Sequence, residues 1–325
     1  MAAAPSQAPP SIGGQAVLEG VMMRGPASWS VACRKPDSTV AVEVHELPAF
    51  AERHRWARRP LARGCVVLGE SLVIGMRALK ISARYAMEEA DGEDESDKPM
   101  TDRQLGMTLA IAMVVFSAVF IALPVLATRL IEALSGNAIV DRPLLFNLIE
   151  GAMRIGLFVG YLLLISRLDD IRRVFQYHGA EHKTIYAYEN GDRLVPEEID
   201  RKYSTLHVRC GTNFLFIVLF LTIVAHFVID LLVGGPLVPR IGVRMLAIPL
   251  LAGVSYEAIR LASRREESVT FKVLMLPGLA LQKITTKPPS LEQIEVAIAA
   301  MEAVDPAKDA GRRAAASGSP ETPVA

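Results

Sequence analysis

The chain has few cysteines, no net charge and no secretory signal, and each absence excludes a class of protein. Its 325 residues include three cysteines, which are too few and too scattered for a disulfide framework. The 35 basic residues balance 35 acidic residues, so the composition indicates no nucleic-acid partner. Residues 1–11 are rich in alanine and proline and lack the basic and apolar runs of a signal peptide, which predicts a disordered tail.

What the sequence does contain is a set of long apolar segments separated by charged ones. Four of them, residues 105–127, 144–165, 214–233 and 243–262, approach the length of about 20 residues that a helix needs to cross a bilayer. We therefore expect a mainly α membrane protein with about four transmembrane helices, whose first partner is the lipid bilayer.

Lysine and arginine are concentrated before the first apolar segment, between the second and third, and after the fourth. Because such residues stay on the cytoplasmic side, both termini and the loop 166–213 are predicted to be cytoplasmic. The alternation of basic and less basic connections agrees with four spans and predicts a multipass protein.

Residues 12–87 are predicted to form a small cytoplasmic unit. Within it, residues 28–34 and 39–45 are typical of the two strands of a β-hairpin, and the second alternates apolar and polar residues. Residues 65–76 are apolar but too few to span a bilayer, which favours an interfacial or re-entrant helix.

Composition also divides the rest of the chain. Residues 88–104 are predicted to be an acidic linker before the four-span domain, 105–262. Residues 263–304 are predicted to be a carboxy-terminal cytoplasmic segment, in which Ser290 begins a helix with a capping box. The alanine- and glycine-rich residues 305–325 are predicted to be a disordered tail.

The strongest chemical signal is the segment His178-Gly179-Ala180-Glu181-His182 in the predicted loop. Residues four apart lie on one face of a helix, so both imidazoles can reach one metal ion. The order His-x-x-Glu-His is that of the inverted zinc-protease motif, in which the carboxylate is a base for water. The segment predicts a zinc site with His178 and His182 as ligands and Glu181 as the catalytic group.

A second pair of donors, His207 and Cys210, follows in the same loop and suits two ligands on one turn. With all four side chains bound the site is closed and structural, whereas three ligands leave a position open for water. Glu257 is predicted to lie at the same depth, either as a further ligand, as a partner that fixes an imidazole, or in an ion pair with Arg260 or Arg264.

Two other sets of polar residues complete the candidates. The glycine-rich segment 13–24 lacks the ending of a phosphate-binding loop and indicates tight turns, with Glu19 and Arg24 as its chemical groups if it lines a site. Polar residues inside the apolar segments suggest a transporter, although no inverted repeat relates the first two spans to the last two; they are Glu150, Arg154, His226 and Asp230.

Several stretches together resemble the bacterial YqhQ family, a group of multipass membrane proteins built on a domain of unknown function. They are residues 14–26 (GQAVLEGVMMRGP), 177–183 (YHGAEHK), 209–214 (RCGTNF), 255–257 (SYE) and 277–286 (PGLALQKITT). The resemblance implies a place in the bacterial inner membrane and a metal-dependent enzyme, as members are often labelled. This chain has Val208 where the family pattern usually has proline between His207 and Arg209.

Three functions remain open at this point. One is a zinc-dependent hydrolase acting on a peptide or a lipid-linked substrate at the cytoplasmic membrane face. Another is a non-enzymatic scaffold or assembly factor, with a structural metal or none, that docks a membrane-protein partner. The third is a transporter, and the sequence specifies neither a substrate nor an oligomeric state.

Overall fold

The structure, a computed structural model, describes residues 12–47, 54–87, 102–134, 143–233, 237–263 and 268–306. The predicted tail 1–11, most of the predicted tail 305–325 and most of the predicted linker 88–104 lie outside these residues. The described chain comprises a polar unit built around a β-sheet and a bundle of apolar helices.

Four antiparallel strands form a meander of order β1-β2-β3-β4. They are β1 (Gly13–Val17), β2 (Gly20–Arg24), β3 (Ser28–Arg34) and β4 (Val40–Glu46).

The predicted hairpin is present as β3 and β4. The sheet is larger than the predicted pair of strands, because the glycine-rich segment 13–24 forms two more. The predicted tight turn is confined to Leu18 and Glu19, where Glu19 has a φ of 50°. A Cβ on Gly20 would lie 2.2 Å from the Ala32 carbonyl oxygen, so glycine allows β2 to approach β3.

The α-helices of the described residues follow in chain order. They are α1 (Ala62–Met87), α2 (Asp102–Ser117), α3 (Leu123–Leu134), α4 (Pro143–Ile165), α5 (Asp169–Glu189), α6 (Pro196–Lys202), α7 (Gly211–Val233), α8 (Leu237–Ser263), α9 (Val269–Thr285) and α10 (Leu291–Val304). A π-helical turn, Ala118–Ala122, joins α2 to α3.

Helices cover both faces of the sheet, because the central strands β2 and β3 are buried on both sides. On one face, Trp29 of β3 shares a buried cluster with Ile74 of α1. On the other face, Val21 of β2 shares a larger cluster with Ala180 of α5 and Ala297 of α10. The predicted loop 166–213 is therefore mostly helical, and it packs with the amino- and carboxy-terminal segments in one unit.

The predicted capping box at the start of α10 is confirmed. The Ser290 side chain accepts a hydrogen bond from the Gln293 backbone N–H, and the Gln293 side chain accepts one from the Ser290 N–H. These bonds satisfy two of the donors that a helix start leaves without partners.

Within the part of the chain that the structure describes, four helical stretches are long and apolar enough to cross a membrane, as predicted. They are Gly106–Ile131, Leu144–Ile165, Gly211–Ile229 and Gly242–Leu261.

The helix predicted over 65–76 is part of a longer one, α1, which links the sheet to the bundle. Cys65 on α1 donates to the Pro249 carbonyl of α8 at 3.1 Å, and Arg63 pairs with Glu257 of α8. Leu72 and Val73 leave half of their surface exposed, 56% and 50%.

A cluster of charged side chains is buried inside the bundle. Glu150 of α4 accepts hydrogen bonds from Arg154 on the same helix and from Arg244 of α8, the latter at 2.8 and 3.1 Å. Arg154 also lies 3.2 Å from Nδ1 of His226 on α7. The sequence indicated Glu150, Arg154 and His226 as polar candidates but not Arg244, and the side chain of Asp230 is not among those the structure describes. The cluster connects three helices and lies apart from the candidate site below.

Candidate metal centre

Helix α5 presents His178 and His182 one turn apart, with ring centroids 4.4 Å from each other. Gly179 lies between them without breaking the helix, and its place is explained by a close approach of the backbone that follows α9. A Cβ at Gly179 would lie 2.2 Å from the Lys287 carbonyl oxygen, and the Lys287 N–H donates to the Phe175 carbonyl at 2.9 Å. Glycine therefore lets the chain after α9 lie directly on the motif.

Cys210 joins the two histidines from the loop before α7. Its Sγ lies 3.2 Å from Nε2 of His178 and accepts from the Thr212 backbone N–H at 3.3 Å. One ligand atom from each of His178, His182 and Cys210 lies within 4.8 Å of the other two. Since zinc–nitrogen and zinc–sulfur bonds are about 2.0–2.3 Å long, three atoms at this separation can share one ion.

Backbone carbonyls fix the orientation of both imidazoles. Nδ1 of His178 lies 2.8 Å from the Thr285 carbonyl, and Nδ1 of His182 lies 2.5 Å from the Thr205 carbonyl. A carbonyl only accepts, so each Nδ1 carries the proton and each Nε2 keeps its lone pair. Histidine ligands of metals have this arrangement almost always.

The environment also favours the protonation states that bind metal. Burial lowers the pKa of His182, so the neutral imidazole is favoured. Burial opposes ionisation of the Cys210 thiol, but His182 and Thr212 outweigh it and lower the pKa of Cys210. Neutral imidazole and thiolate are the forms that zinc takes.

Glu181 is buried beside this group, against β1. A Cβ on Gly14 of β1 would lie 2.6 Å from Oε1 of Glu181, so only glycine leaves room for the carboxylate. Oε2 of Glu181 has no hydrogen-bond partner among the described residues. The pKa of Glu181 is raised to about 8, chiefly by burial; His178 opposes this rise and Cys210 adds to it. A carboxylate with raised basicity thus adjoins the three ligand atoms.

His207, the fourth predicted ligand, is buried next to the group but is not one of its three members. Its ring lies 5.5 Å from that of His182, and its Nε2 lies 3.7 Å from the Glu189 carboxylate. Gln282 of α9 holds its backbone, donating to the His207 carbonyl and accepting from the His207 N–H, both at 2.8 Å. Asn213 donates to the Val208 carbonyl at 2.6 Å, so side chains hold the loop that lacks the family's proline.

The two additional candidates lie outside the group. Glu257 pairs with Arg63, and this partner differs from the two that the sequence suggested. Glu19 pairs with Arg173 and accepts from the Tyr177 hydroxyl at 3.3 Å. Both carboxylates hold neighbouring elements together.

The ligand group opens into a cavity of about 690 Å³ between the polar unit and the bundle. Its walls come from β1, α1, α5, the loop before α7, and Tyr256 of α8. Sequence reasoning missed three contributors, Gly14, Gln282 and Thr285. The only sequence signal for them was their position in stretches that resemble the YqhQ family.

Comparison with known proteins identifies relatives but no activity. A family model described as "Protein of unknown function (DUF1385)" matches residues 59–307, which include the whole ligand group. The chain is 35% identical over 305 residues to "Uncharacterized protein YqhQ" of Bacillus subtilis (strain 168), covering 89% of this chain and 91% of that protein. No solved structure matches the chain significantly.

Proposed function

Because this chain belongs to the DUF1385 family, as the 35% identity to YqhQ also indicates, we propose a function from the chemistry of its own residues. The proposal is a zinc-dependent hydrolase at the cytoplasmic face of the bacterial inner membrane. His178, His182 and Cys210 hold the ion, and Glu181 is the general base. The observation that carries the proposal is the convergence of three ligand atoms within 4.8 Å.

The donor set favours zinc, and the number of donors favours catalysis. Two imidazoles and a thiolate are common zinc ligands, and three protein ligands leave a fourth position for water or substrate. All three ligands line the cavity, so water or a substrate can reach the group from it. The backbone carbonyls that accept the Nδ1 protons support the proposal, because loss of such a hydrogen bond to a histidine ligand typically lowers metal affinity by roughly 10–100-fold.

Zinc bound here would supply Lewis-acid activation of water. Glu181 borders the same cavity, and its Oε2 has no other described partner. It would accept the proton that the attacking water loses and return it to the leaving group. The raised pKa of Glu181 suits this role, since a general base works best when its pKa is near the working pH.

The membrane location rests on the four apolar helical stretches and on the distribution of basic residues. Cys210 directly precedes the apolar stretch Gly211–Ile229, so the ligand group lies at the end of that helix. We place this end, together with both termini, on the cytoplasmic side. A substrate would then approach from the cytoplasm along the membrane surface.

Metal analysis of protein purified from zinc-replete cells tests the first part of the proposal. We expect one zinc per chain in the wild type and loss of zinc in the double variant His178→Ala/His182→Ala. His54→Ala, which changes an exposed histidine away from the group, is the matched control and should keep its zinc. A wild-type protein without stoichiometric metal would refute the proposal.

The second candidate is a structural zinc site in a non-enzymatic scaffold, and His207 is the observation that favours it. Its buried Nε2 forms no hydrogen bond with any described residue, so a shift of the loop would allow it to become a fourth ligand. Glu181→Gln and His207→Ala distinguish the two. A catalytic site keeps zinc in both variants and loses hydrolysis in Glu181→Gln, whereas a structural site loses zinc in His207→Ala and is unaffected by Glu181→Gln.

A further inference from the structure

The outer edge of β1 presents unpaired backbone groups. The bond from the Arg34 N–H to the Glu19 carbonyl shows that Gly20 turns its backbone groups away from β3 and toward β1. In the register of β1 and β2, Val17 lies opposite Gly20 and Gln15 lies two residues further along, so the backbone groups of Val17 and Gln15 bond to β2. Gly14 and Ala16, which alternate with them, turn their N–H and C=O groups outward. No described residue forms a hydrogen bond with these outward groups.

This edge lies in the same cavity as the ligand group. Ile12 and the next four residues, 13–16 of β1, line the cavity together with His178, Glu181, His182 and Cys210. On the sheet face next to this edge, a Cβ on Gly14 would lie 2.6 Å from Oε1 of Glu181, so the carboxylate packs against β1. At about 3.3 Å per residue, the five residues offer an edge roughly 16 Å long beside the metal ligands.

We propose that β1 is the substrate-binding strand and that the substrate is an extended peptide segment. The peptide adds to the free edge as a fifth strand, which lies about 4.8 Å from β1 and places a peptide bond beside His178, His182 and Cys210. Cleavage of that bond rests on the proposed function, whereas binding rests on the sheet edge.

The reaction is hydrolysis of the peptide C–N bond. The hydroxyl of water bonds to the carbonyl carbon and gives a carboxyl group, and the C–N bond breaks. Glu181 carries the proton of that water to the leaving nitrogen, which departs as an amine. Atoms and charges balance without an oxidant, a reductant or another reactant.

The chemistry of the cavity favours a peptide over a lipid-linked group. Alternating outward N–H and C=O groups match the backbone of an extended peptide, which offers the same groups with the same period. Apolar side chains line other parts of the wall and suit alternate side chains of a bound strand; they are Val67, Val174, Phe175 and Leu215.

The variant Ala16→Pro tests the proposal with little change to the fold. Proline removes one outward N–H and leaves the bonds between β1 and β2 in place. Val42→Pro is the matched control, because Val42 lies on β4 at the opposite edge of the sheet and also turns its N–H outward. This follows from the bond between the Leu47 N–H and the Ala27 carbonyl, which fixes which residues of β4 bond to β3. Both variants should keep wild-type zinc content and thermal stability.

The probe is a library of fluorescent synthetic decapeptides, with binding measured on zinc-loaded Glu181→Gln protein and cleavage measured on protein with Glu181 intact. We expect Ala16→Pro to weaken peptide binding about fivefold, since a lost hydrogen bond costs about 1 kcal/mol, and Val42→Pro to leave binding unchanged. Equal binding by the two proline variants would overturn the proposal. Peptide binding that appears only after residues 1–10 are removed would also overturn the proposal, because the edge would then be the binding site of the chain's own amino-terminal segment.

N-methylated peptides provide a test that leaves the protein unaltered, should Ala16→Pro fail to fold. Methylation of successive backbone nitrogens in a bound decapeptide should weaken binding at every second position, because alternate N–H groups face β1. Uniform sensitivity would contradict strand addition. Absence of peptide binding in a zinc-containing protein would overturn this inference and leave a hydrolase of another substrate class, whereas peptide binding without zinc would overturn only the hydrolase.

Discussion

The substitution Gly179→Ala tests how the backbone after α9 positions the candidate centre. In an ordinary helix this change stabilises by about 1 kcal/mol. Here the new Cβ would lie 2.2 Å from the Lys287 carbonyl oxygen, whereas real Cβ contacts lie beyond 3.0 Å. Moving Lys287 costs about 1–3 kcal/mol for overpacking and about 1 kcal/mol for its hydrogen bond to Phe175. The net expectation is a destabilisation of about 1–3 kcal/mol.

The same substitution should weaken metal binding, because the Thr285 carbonyl that orients His178 lies two residues before Lys287. Thermal unfolding in detergent measures the stability, and a chelator competition measures zinc affinity, for which we expect a loss of about tenfold or more. Gly69→Ala in α1 is the control, because no atom other than those of its chain neighbours and its own helix backbone lies within 4 Å of the new Cβ, and it should stabilise by up to about 1 kcal/mol. If Gly179→Ala proved as stable as Gly69→Ala, the packing described here would be refuted.

Three further predictions concern single residues. In metal-free protein, the stability of Glu181→Gln relative to the wild type should increase from pH 5 to 8, by up to about 1.4 kcal/mol per pH unit, because the native carboxyl keeps a proton that the unfolded chain loses. Unfolding of chelator-treated samples of both proteins across this pH range measures the difference in stability. A difference that does not change with pH would contradict the burial of Glu181. Ser290→Ala should cost about 1 kcal/mol in thermal unfolding through loss of the cap on α10, and no change would exclude the capping box. Glu257→Gln should leave zinc content unchanged, since Glu257 pairs with Arg63, and zinc loss on metal analysis would show instead that it is a ligand.

Local patterns in the sequence were sufficient to predict the apolar helices, the β3–β4 hairpin and the cap on α10. Each depends on residues close together in the chain, such as Ser290 and Gln293. The strands β1 and β2 were missed because their glycines are local signals for turns, whereas here Gly14 and Gly20 allow close packing against Glu181 and β3.

The candidate centre was predictable only in part, for the same physical reason. The motif spacing places His178 and His182 on one helix face, and the meeting with Cys210 is a tertiary contact that spacing only suggests. The partner of Glu257 and the role of Gln282 depend on packing between segments far apart in the sequence. No period or motif contains that information.

The parts that surround His178 come from both ends of the chain and from its middle. The Thr285 carbonyl that orients the ring lies 107 positions later in the sequence, and β1, which closes one wall of the cavity, comes near the start. When only the first three apolar stretches have been synthesised, the chain therefore already contains all three ligands but not the carbonyl that orients one of them. The centre should remain incomplete during membrane insertion and become competent only when synthesis is nearly finished.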